Sequence, residues 1–155
     1  MNRGIQFEIP NTYGSFLGDI LKPIGVSNFD WFIGGEESYF IEDDTLGDDL
    51  FPDMVMGMNG EELQKIIDNN EYYLIFSNLK AFPKGAKITD VITYEDYMLS
   101  DCRLVLLVID SIYVTVYCKD PEKIEELYNH INRQGFKSLN YVTDENDRRT
   151  TLSVW

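Results

Sequence analysis

The sequence predicts an α+β fold: a mixed, mostly antiparallel sheet of about seven or eight strands, with three or four helices packed mainly on one face. Some segments repeat their apolar residues with a period of two, as strands do, and others with the period of a helix. The two types follow one another without the strict alternation of a doubly wound fold. A chain of 155 residues further predicts one domain, over residues 1–155.

Four helices are predicted from apolar stripes that begin at a capping residue. The last has the clearest signals, because Asp120 caps it, Pro121 stands in its first turn and Gly135 ends it. In the first, Pro23 stops a stripe that begins at Tyr13. The predicted helices run from Asn11 or Thr12 to Pro23, from Asn59 to Asn69, for two turns after Thr93, and from Asp120 to Gly135.

Strands are predicted where apolar and polar residues alternate, or where branched and aromatic residues are dense. Two hairpins are expected, one with its turn at Gly34-Gly35 and one with its turn at Asp110-Ser111. The segment 43–58 has no sustained period and is predicted to be a long acidic loop. The predicted strands are 4–9, 28–33, 38–42, 72–82, 102–109, 112–118, 136–142 and 150–155.

Charge is the unusual feature of the composition. The chain has 13 Lys and Arg against 27 Asp and Glu, which gives a net charge of −14. A surface of this sign repels phosphate, so neither a nucleic acid nor an anionic membrane is expected as a partner. The same charge accelerates encounter with a basic protein.

The sequence predicts a cytoplasmic protein. The first ten residues alternate in polarity, whereas a secretory signal needs about 7–15 consecutive apolar residues. The longest apolar run, 104–109, is much shorter than the ~20 residues of a membrane-spanning helix. The two cysteines, Cys102 and Cys118, are therefore expected to be buried, reduced thiols.

The motifs of the common catalytic and metal sites are missing from the sequence. His130 is the single histidine, and no GxSxG, HExxH, CxxC or GxxxxGK[ST] motif occurs. The acidic segment has carboxylates for a hard cation, but an EF-hand register starting at Asp43 or Asp44 places Gly47 or Leu46 at ligand positions. We therefore predict no cofactor and no metal site, and favour a protein that is not an enzyme.

Three segments resemble a known family. They are the opening RGIQFEIPN at 3–11, the NFDW segment at 28–31 with GGEE at 34–37, and VYCKDP at 116–121. Together they are similar to a family of small uncharacterised bacterial proteins, known as a domain of unknown function. The resemblance covers nearly the whole chain and implies a bacterial cytosolic protein. It assigns no activity to any residue.

The acidic segment is the predicted site for a protein partner. Exposed aromatic rings beside carboxylates suit the recognition of a basic partner. We therefore expect a non-catalytic interaction module, immunity-like or regulatory; the alternative is a small enzyme or ligand-binding protein with a pocket between sheet and helices. Tyr113 and Tyr117 are further rings expected at the surface. The predicted partner-binding residues are Asp43, Asp44, Asp48, Asp49, Phe51 and Asp53.

Overall fold

A computed structural model describes residues 1–154, except for the side chains of residues 35 and 36. Eight strands and four α-helices, with one short 3₁₀ turn at Val26–Asn28, make up these residues. In chain order the elements are β1 (Asn2–Glu8), α1 (Phe16–Leu21), β2 (Phe29–Glu42), β3 (Thr45–Asp49), β4 (Val55–Asn59), α2 (Gly60–Asp68), β5 (Tyr72–Pro83), α3 (Tyr94–Leu99), β6 (Leu104–Ile109), β7 (Tyr113–Cys118), α4 (Pro121–Gln134) and β8 (Lys137–Thr143).

All eight strands belong to one sheet, in the order β3-β2-β5-β6-β7-β1-β8, with β4 also paired to β2. Every pairing between these strands is antiparallel. The predicted α+β class and strand number are confirmed. The hairpin of β6 and β7 lies at the centre of the sheet, and its turn at Asp110 and Ser111 has positive φ at both residues, as in type I′ turns.

Helices α1, α2 and α4 cover one face of the sheet, as predicted. Their buried residues join one apolar cluster with residues of the sheet such as Trp31 and Val116. The local signals behave as expected: the Asp120 carboxylate accepts a hydrogen bond from the backbone N–H of Glu122, and Gly135 ends α4 in the left-handed conformation. No helix within residues 1–154 is long and apolar enough to cross a bilayer.

Helix α3 and two extended segments cover the opposite face. Tyr97 of α3, Val91 and Leu152 are buried in a second apolar cluster on that side. Thr93 forms the predicted capping box with Asp96 at the start of α3. The predicted two-turn helix is therefore present, and its burial is on the face away from the other three helices.

A buried lysine holds the two extended segments to the second face. Lys80 of β5 is 1% exposed, and its ammonium donates three hydrogen bonds. The acceptors are the Asp90 carboxylate at 2.8 Å, the Val91 carbonyl at 2.8 Å and the Leu152 carbonyl at 3.0 Å. Three bonds use the full donor capacity of an ammonium group, so the charge is buried without an unpaired proton.

The hairpin predicted around Gly34-Gly35 is wrong. Residues 29–42 form the single strand β2, which pairs with β5 along nearly its whole length. The pairing register shifts between Gly34 and Glu37, so the strand is irregular where a turn was expected. Glycine permits a bulge as readily as a turn, which is why the pattern alone misplaces this segment.

Two other predicted boundaries are also wrong. The expected strand at 150–155 is absent from residues 150–154, and Trp155 lies outside the described residues. Thr151 makes an isolated bridge to Thr93, and the side chains of Leu152 and Val154 are buried. The first helix begins at Phe16, because the backbone of Gly14 is paired to Tyr72 of β5. At Gly14 a long-range backbone contact overrides the local apolar pattern.

Candidate functional site

The predicted acidic loop is mostly ordered strand. Residues 43–58 contain the turn Asp43-Asp44, strand β3 and most of strand β4, and both strands pair with β2. Three parts form what we call the acidic hairpin: the end of β2 from Tyr39 onwards, the turn, and β3. Its turn has positive φ at both residues, 51° at Asp43 and 60° at Asp44, with Glu42 paired to Thr45. The expectation of an unstructured loop is therefore wrong.

The carboxylates of this segment point to solvent. The turn aspartates and both aspartates of β3 are exposed, and β3 is an outer strand of the sheet. A paired backbone holds these charges at fixed spacing, whereas a flexible loop would let them spread apart. The exposed aspartates are Asp43, Asp44, Asp48, Asp49 and Asp53.

Phe51 is not part of this exposed surface. Leu50 and Phe51 are 4% and 3% exposed and belong to the cluster beneath α1, α2 and α4. The Leu50 backbone N–H also donates to the Ser38 carbonyl at 2.8 Å. The predicted exposure of Phe51 is therefore wrong. With Leu50, it anchors the end of the acidic hairpin to the core.

A shallow hollow adjoins the acidic hairpin. It has a volume of about 420 Å³. The rings of Tyr13 and Tyr73 meet edge to face with centroids 5.8 Å apart, and the Tyr13 hydroxyl donates to the Asp44 carbonyl at 3.4 Å. We call this depression beside the acidic hairpin the aromatic hollow. Its lining residues are Asn11, Thr12, Tyr13, Leu46 and Tyr73.

Exposed apolar residues occur on β3 and on the segment that leads into β4, which pair with opposite ends of β2. Leu46 of β3 is 48% exposed, and Met54 and Met56 are 60% and 53% exposed. Methionine side chains adapt to irregular surfaces and recur where proteins bind varied partners. The site beside the hairpin therefore combines fixed negative charge, two tyrosine rings and the exposed Leu46. The aromatic hollow was not found from the sequence, because tertiary pairing brings Tyr13 and Tyr73 to the hairpin.

The two tyrosines predicted to be exposed on β7 behave differently. Tyr113 is 54% exposed, as expected. Tyr117 is fully buried, and its hydroxyl donates to Asp147 at 2.9 Å, so its predicted exposure is wrong. Burial is the main cause that raises the pKa of Tyr117. Arg3 bonds the same Asp147 and lies 4.0 Å over the ring of Tyr94. The outward face of β7 thus becomes a second core.

Comparison with known proteins places the chain in a family. The profile of the "Protein of unknown function (DUF2691)" family matches residues 2–153. The chain belongs to the DUF2691 family. A protein of Bacillus subtilis (strain 168) called "Uncharacterized protein YncE" is 43% identical over 154 residues, which are 99% of this chain and 100% of that protein. No solved structure matches. The resemblance to an uncharacterised bacterial family is confirmed, and it assigns no role to any residue.

The histidine of this DUF2691 chain has a structural contact. His130 lies on α4, is 8% exposed, and its Nε2 is 2.6 Å from the carbonyl oxygen of Asp19 on α1. A carbonyl only accepts, so Nε2 carries the proton and ties the two helices together. Among the side chains that the structure describes, no group of three or more His, Cys, Asp or Glu residues is placed to hold a metal.

The two cysteines of this DUF2691 chain are free thiols, each buried in a different apolar cluster. They therefore face opposite sides of the sheet. Burial raises the pKa of Cys102 to about 12, and burial also raises the pKa of Cys118. The thiolate is the nucleophile, so at pH 8 nearly all of each thiol is in the unreactive form.

We expect iodoacetamide to label neither cysteine of the folded protein at pH 8 on the timescale of minutes. Both should label at the rate of a free thiol in 6 M guanidinium chloride, where burial no longer suppresses the thiolate. Intact-mass spectrometry at successive times measures the two rates. Fast labelling of the folded protein would show that the thiols are accessible.

Proposed function

We infer that this protein is a non-catalytic interaction module whose acidic hairpin and aromatic hollow bind a basic segment of a partner protein. The observation that carries the proposal is the placement of four exposed aspartates on an ordered hairpin beside two tyrosine rings. Charge complementarity of this kind sets the rate and specificity of protein encounter.

The chemistry of the site favours lysine or arginine side chains over other ligands. A basic side chain entering the aromatic hollow would place its charge near Asp43 and Asp44 and its stem against Tyr13 and Leu46. Cations are also attracted to the faces of tyrosine rings. The exposed Leu46 offers apolar contact to the rest of such a segment. A basic, amphipathic stretch of polypeptide therefore fits this surface best.

The setting we propose is the cytoplasm. Two free, buried thiols suit a reducing compartment. A net charge of −14 disfavours nucleic acids and anionic membranes as competitors for the same surface. An inhibitor of a basic toxin or a regulator of a basic protein would have these properties.

Titration with a basic amphipathic peptide tests the proposal. We expect a decapeptide of alternating arginine and leucine to shift the amide NMR signals of residues 12–14, 42–49 and 73. Replacing Asp43, Asp44, Asp48 and Asp49 by asparagine should weaken binding ~10–30-fold, because each exposed ion pair contributes about 0.2–1 kcal/mol. Asparagine also tolerates positive φ, so the turn should keep its conformation.

The control removes four exposed carboxylates elsewhere, so that both variants carry a net charge of −10. Peptide affinity should change less than about threefold in this control, since screening weakens distant charges. Equal weakening of the two variants would mean that the peptide responds to net charge and has no site on the hairpin. The control substitutions are Glu95→Gln, Asp101→Asn, Glu122→Gln and Glu145→Gln.

A ligand-binding role has a separate observation in its favour. An amphipathic cavity lies at the other end of β2, between the sheet and the start of α4. Its lining includes Phe29, Leu104 and Cys118 together with three basic residues.

A further inference from the structure

Strand β8 is an outer strand of the sheet that carries little charge. The strand order of the sheet has β3 at one end and β8 at the other. An outer strand presents unpaired backbone N–H and C=O groups to which another chain can add a strand, and charged side chains are a common protection. Aspartates provide this protection on β3. Strand β8 contains one charged residue, Lys137, and no carboxylate, so any protection of its edge has to come from elsewhere.

The backbone groups of Tyr141 and Thr143 point away from the rest of the sheet. Asp144, directly after β8, donates its N–H to the Met1 carbonyl at 3.1 Å, so the backbone of Asp144 faces β1. Alternate residues of an antiparallel strand point their N–H and C=O groups to opposite sides. Tyr141 and Thr143 alternate with Asp144 along the chain and therefore turn their backbone groups outward. A strand added at this edge would bond to these groups.

The loop 144–147 already bonds these outward groups. The Asn146 carboxamide accepts a hydrogen bond from the Thr143 N–H at 2.8 Å and donates one to the Tyr141 carbonyl at 2.9 Å. The Asp147 N–H donates to the Thr143 carbonyl at 3.0 Å. An added antiparallel strand would supply a donor and an acceptor of this kind. The side chain of Asn146 thus takes the place of a neighbouring strand.

The loop that carries Asn146 is anchored to β1. Arg3 of β1 makes ion pairs with Asp144 at 2.9 Å and with Asp147 at 3.2 Å. The Asn146 N–H also donates to the Thr143 hydroxyl at 3.2 Å. These contacts fix the loop on both sides of Asn146, so its carboxamide meets the edge of β8 without a further loss of backbone freedom.

The other half of β8 is too irregular for a strand to add there. The pairing of β1 with β8 shifts register next to Glu8, and Ser138 has a positive φ of 58°. The Asn140 side chain donates to the Ser138 carbonyl at 3.0 Å. Irregularities of this kind bend an edge and interrupt its pairing. The regular part of the edge is therefore 139–143, and Asn146 occupies its C-terminal half.

We propose that Asn146 closes the outer edge of β8 and so prevents a second copy of this chain from adding its own β8 there. The pairing that it prevents would be antiparallel about a two-fold axis, because each copy presents the same edge. No carboxylate on β8 opposes such pairing. The acidic hairpin lies at the other end of the strand order, so this edge is independent of the proposed protein-binding surface.

Sedimentation velocity of the parent and of Asn146→Ala tests the proposal, in 0.5 M NaCl so that the net charge of −14 is screened. We expect the parent to sediment as a monomer. Asn146→Ala frees the Tyr141 carbonyl and the Thr143 N–H, and it should dimerise at least tenfold more tightly than the parent. Amide exchange at residues 139 and 141 of the variant should slow as its concentration rises, because these N–H groups point outward. The proposal is wrong if the two proteins associate equally.

Two further variants separate pairing through β8 from a general effect of the substitution. Asn69→Ala removes the same carboxamide from an exposed position directly after α2 and should behave as the parent does. Asn146→Ala/Asn140→Asp places a carboxylate on β8, as the aspartates do on β3, and should restore the monomer because like charges on adjacent strands repel. Dimerisation of Asn69→Ala, or a double variant that dimerises as tightly as Asn146→Ala, would overturn the assignment.

Discussion

Lys80→Met is expected to lower the free energy of unfolding by about 3 kcal/mol, because it removes the charged partner of three acceptors in one step. Methionine keeps the apolar stem but cannot donate a hydrogen bond. The carbonyls of Val91 and Leu152 would then lie buried without a donor, and Asp90 would lose its ion pair. Urea unfolding followed by circular dichroism measures the loss.

Lys84→Met provides the matched control. Lys84 is 44% exposed and makes a 3.4 Å ion pair with Asp30, so its replacement should cost less than about 0.5 kcal/mol. Hydrogen exchange should also accelerate in Lys80→Met at residues 91–93 and 151–153, where the second face loses its attachment. Equal stability of the two variants would show that the buried lysine does not hold these segments in place.

Gly4→Ala is expected to destabilise the fold by about 3 kcal/mol or more, because the new methyl group has no space. Its Cβ would lie within 2 Å of the Val116 carbonyl oxygen and 2.9 Å from the Cα of Tyr117. Both are backbone atoms of β7, which pairs directly with β1. The two strands would have to separate to admit the methyl group. Thermal unfolding by circular dichroism measures the effect.

Gly47→Ala is the control for a glycine whose neighbour can move. The three heavy atoms nearest to the new Cβ all belong to the side chain of Glu42, and none of them is a backbone atom. Glu42 is exposed and can rotate away, so stability should change by less than about 0.5 kcal/mol. A loss in Gly47→Ala comparable with that in Gly4→Ala would contradict the steric explanation.

Local signals were sufficient for elements whose cap, stripe and stop lie within one segment. Helix α4 has Asp120, Pro121 and Gly135 at its ends, and the hairpin of β6 and β7 has its turn between two dense apolar strands. In each, the signals all agree. The assignment of α1, α2 and α4 to one face likewise follows from their apolar stripes.

The sequence was insufficient where a distant strand decides the conformation. Gly34-Gly35 fits a turn, but pairing with β5 extends the strand through it. The segment 43–58 has no clear period, yet β2 provides a template on which β3 and β4 pair. Edge strands need satisfy only one neighbour, so their sequences are weakly patterned.

Burial was misjudged at residues whose polarity or neighbours suggested the surface. Phe51 lies in an acidic stretch but enters the core. Tyr117 faces away from α1, α2 and α4, but α3 and the turn at Asp147 cover it. No single-segment pattern contains this information, because the covering residues come from remote parts of the chain.

Charged side chains on an outer strand also prevent edge-to-edge association of sheets. This role explains the aspartates of β3 on the acidic hairpin. It does not explain why Tyr13 and Tyr73 lie beside them. Binding experiments separate the two roles, because partner affinity depends on the hairpin aspartates only if they contact the partner.

The most direct test is capture of a partner from the lysate of the source bacterium with three tagged proteins. These are the parent, the Asp43→Asn/Asp44→Asn/Asp48→Asn/Asp49→Asn variant and the charge-matched control variant, eluted with a salt gradient and analysed by mass spectrometry. We expect one basic protein to be retained by the parent and the control, to elute as salt screens the charges, and to be lost from the hairpin variant. Retention of the same partners by all three proteins would contradict it.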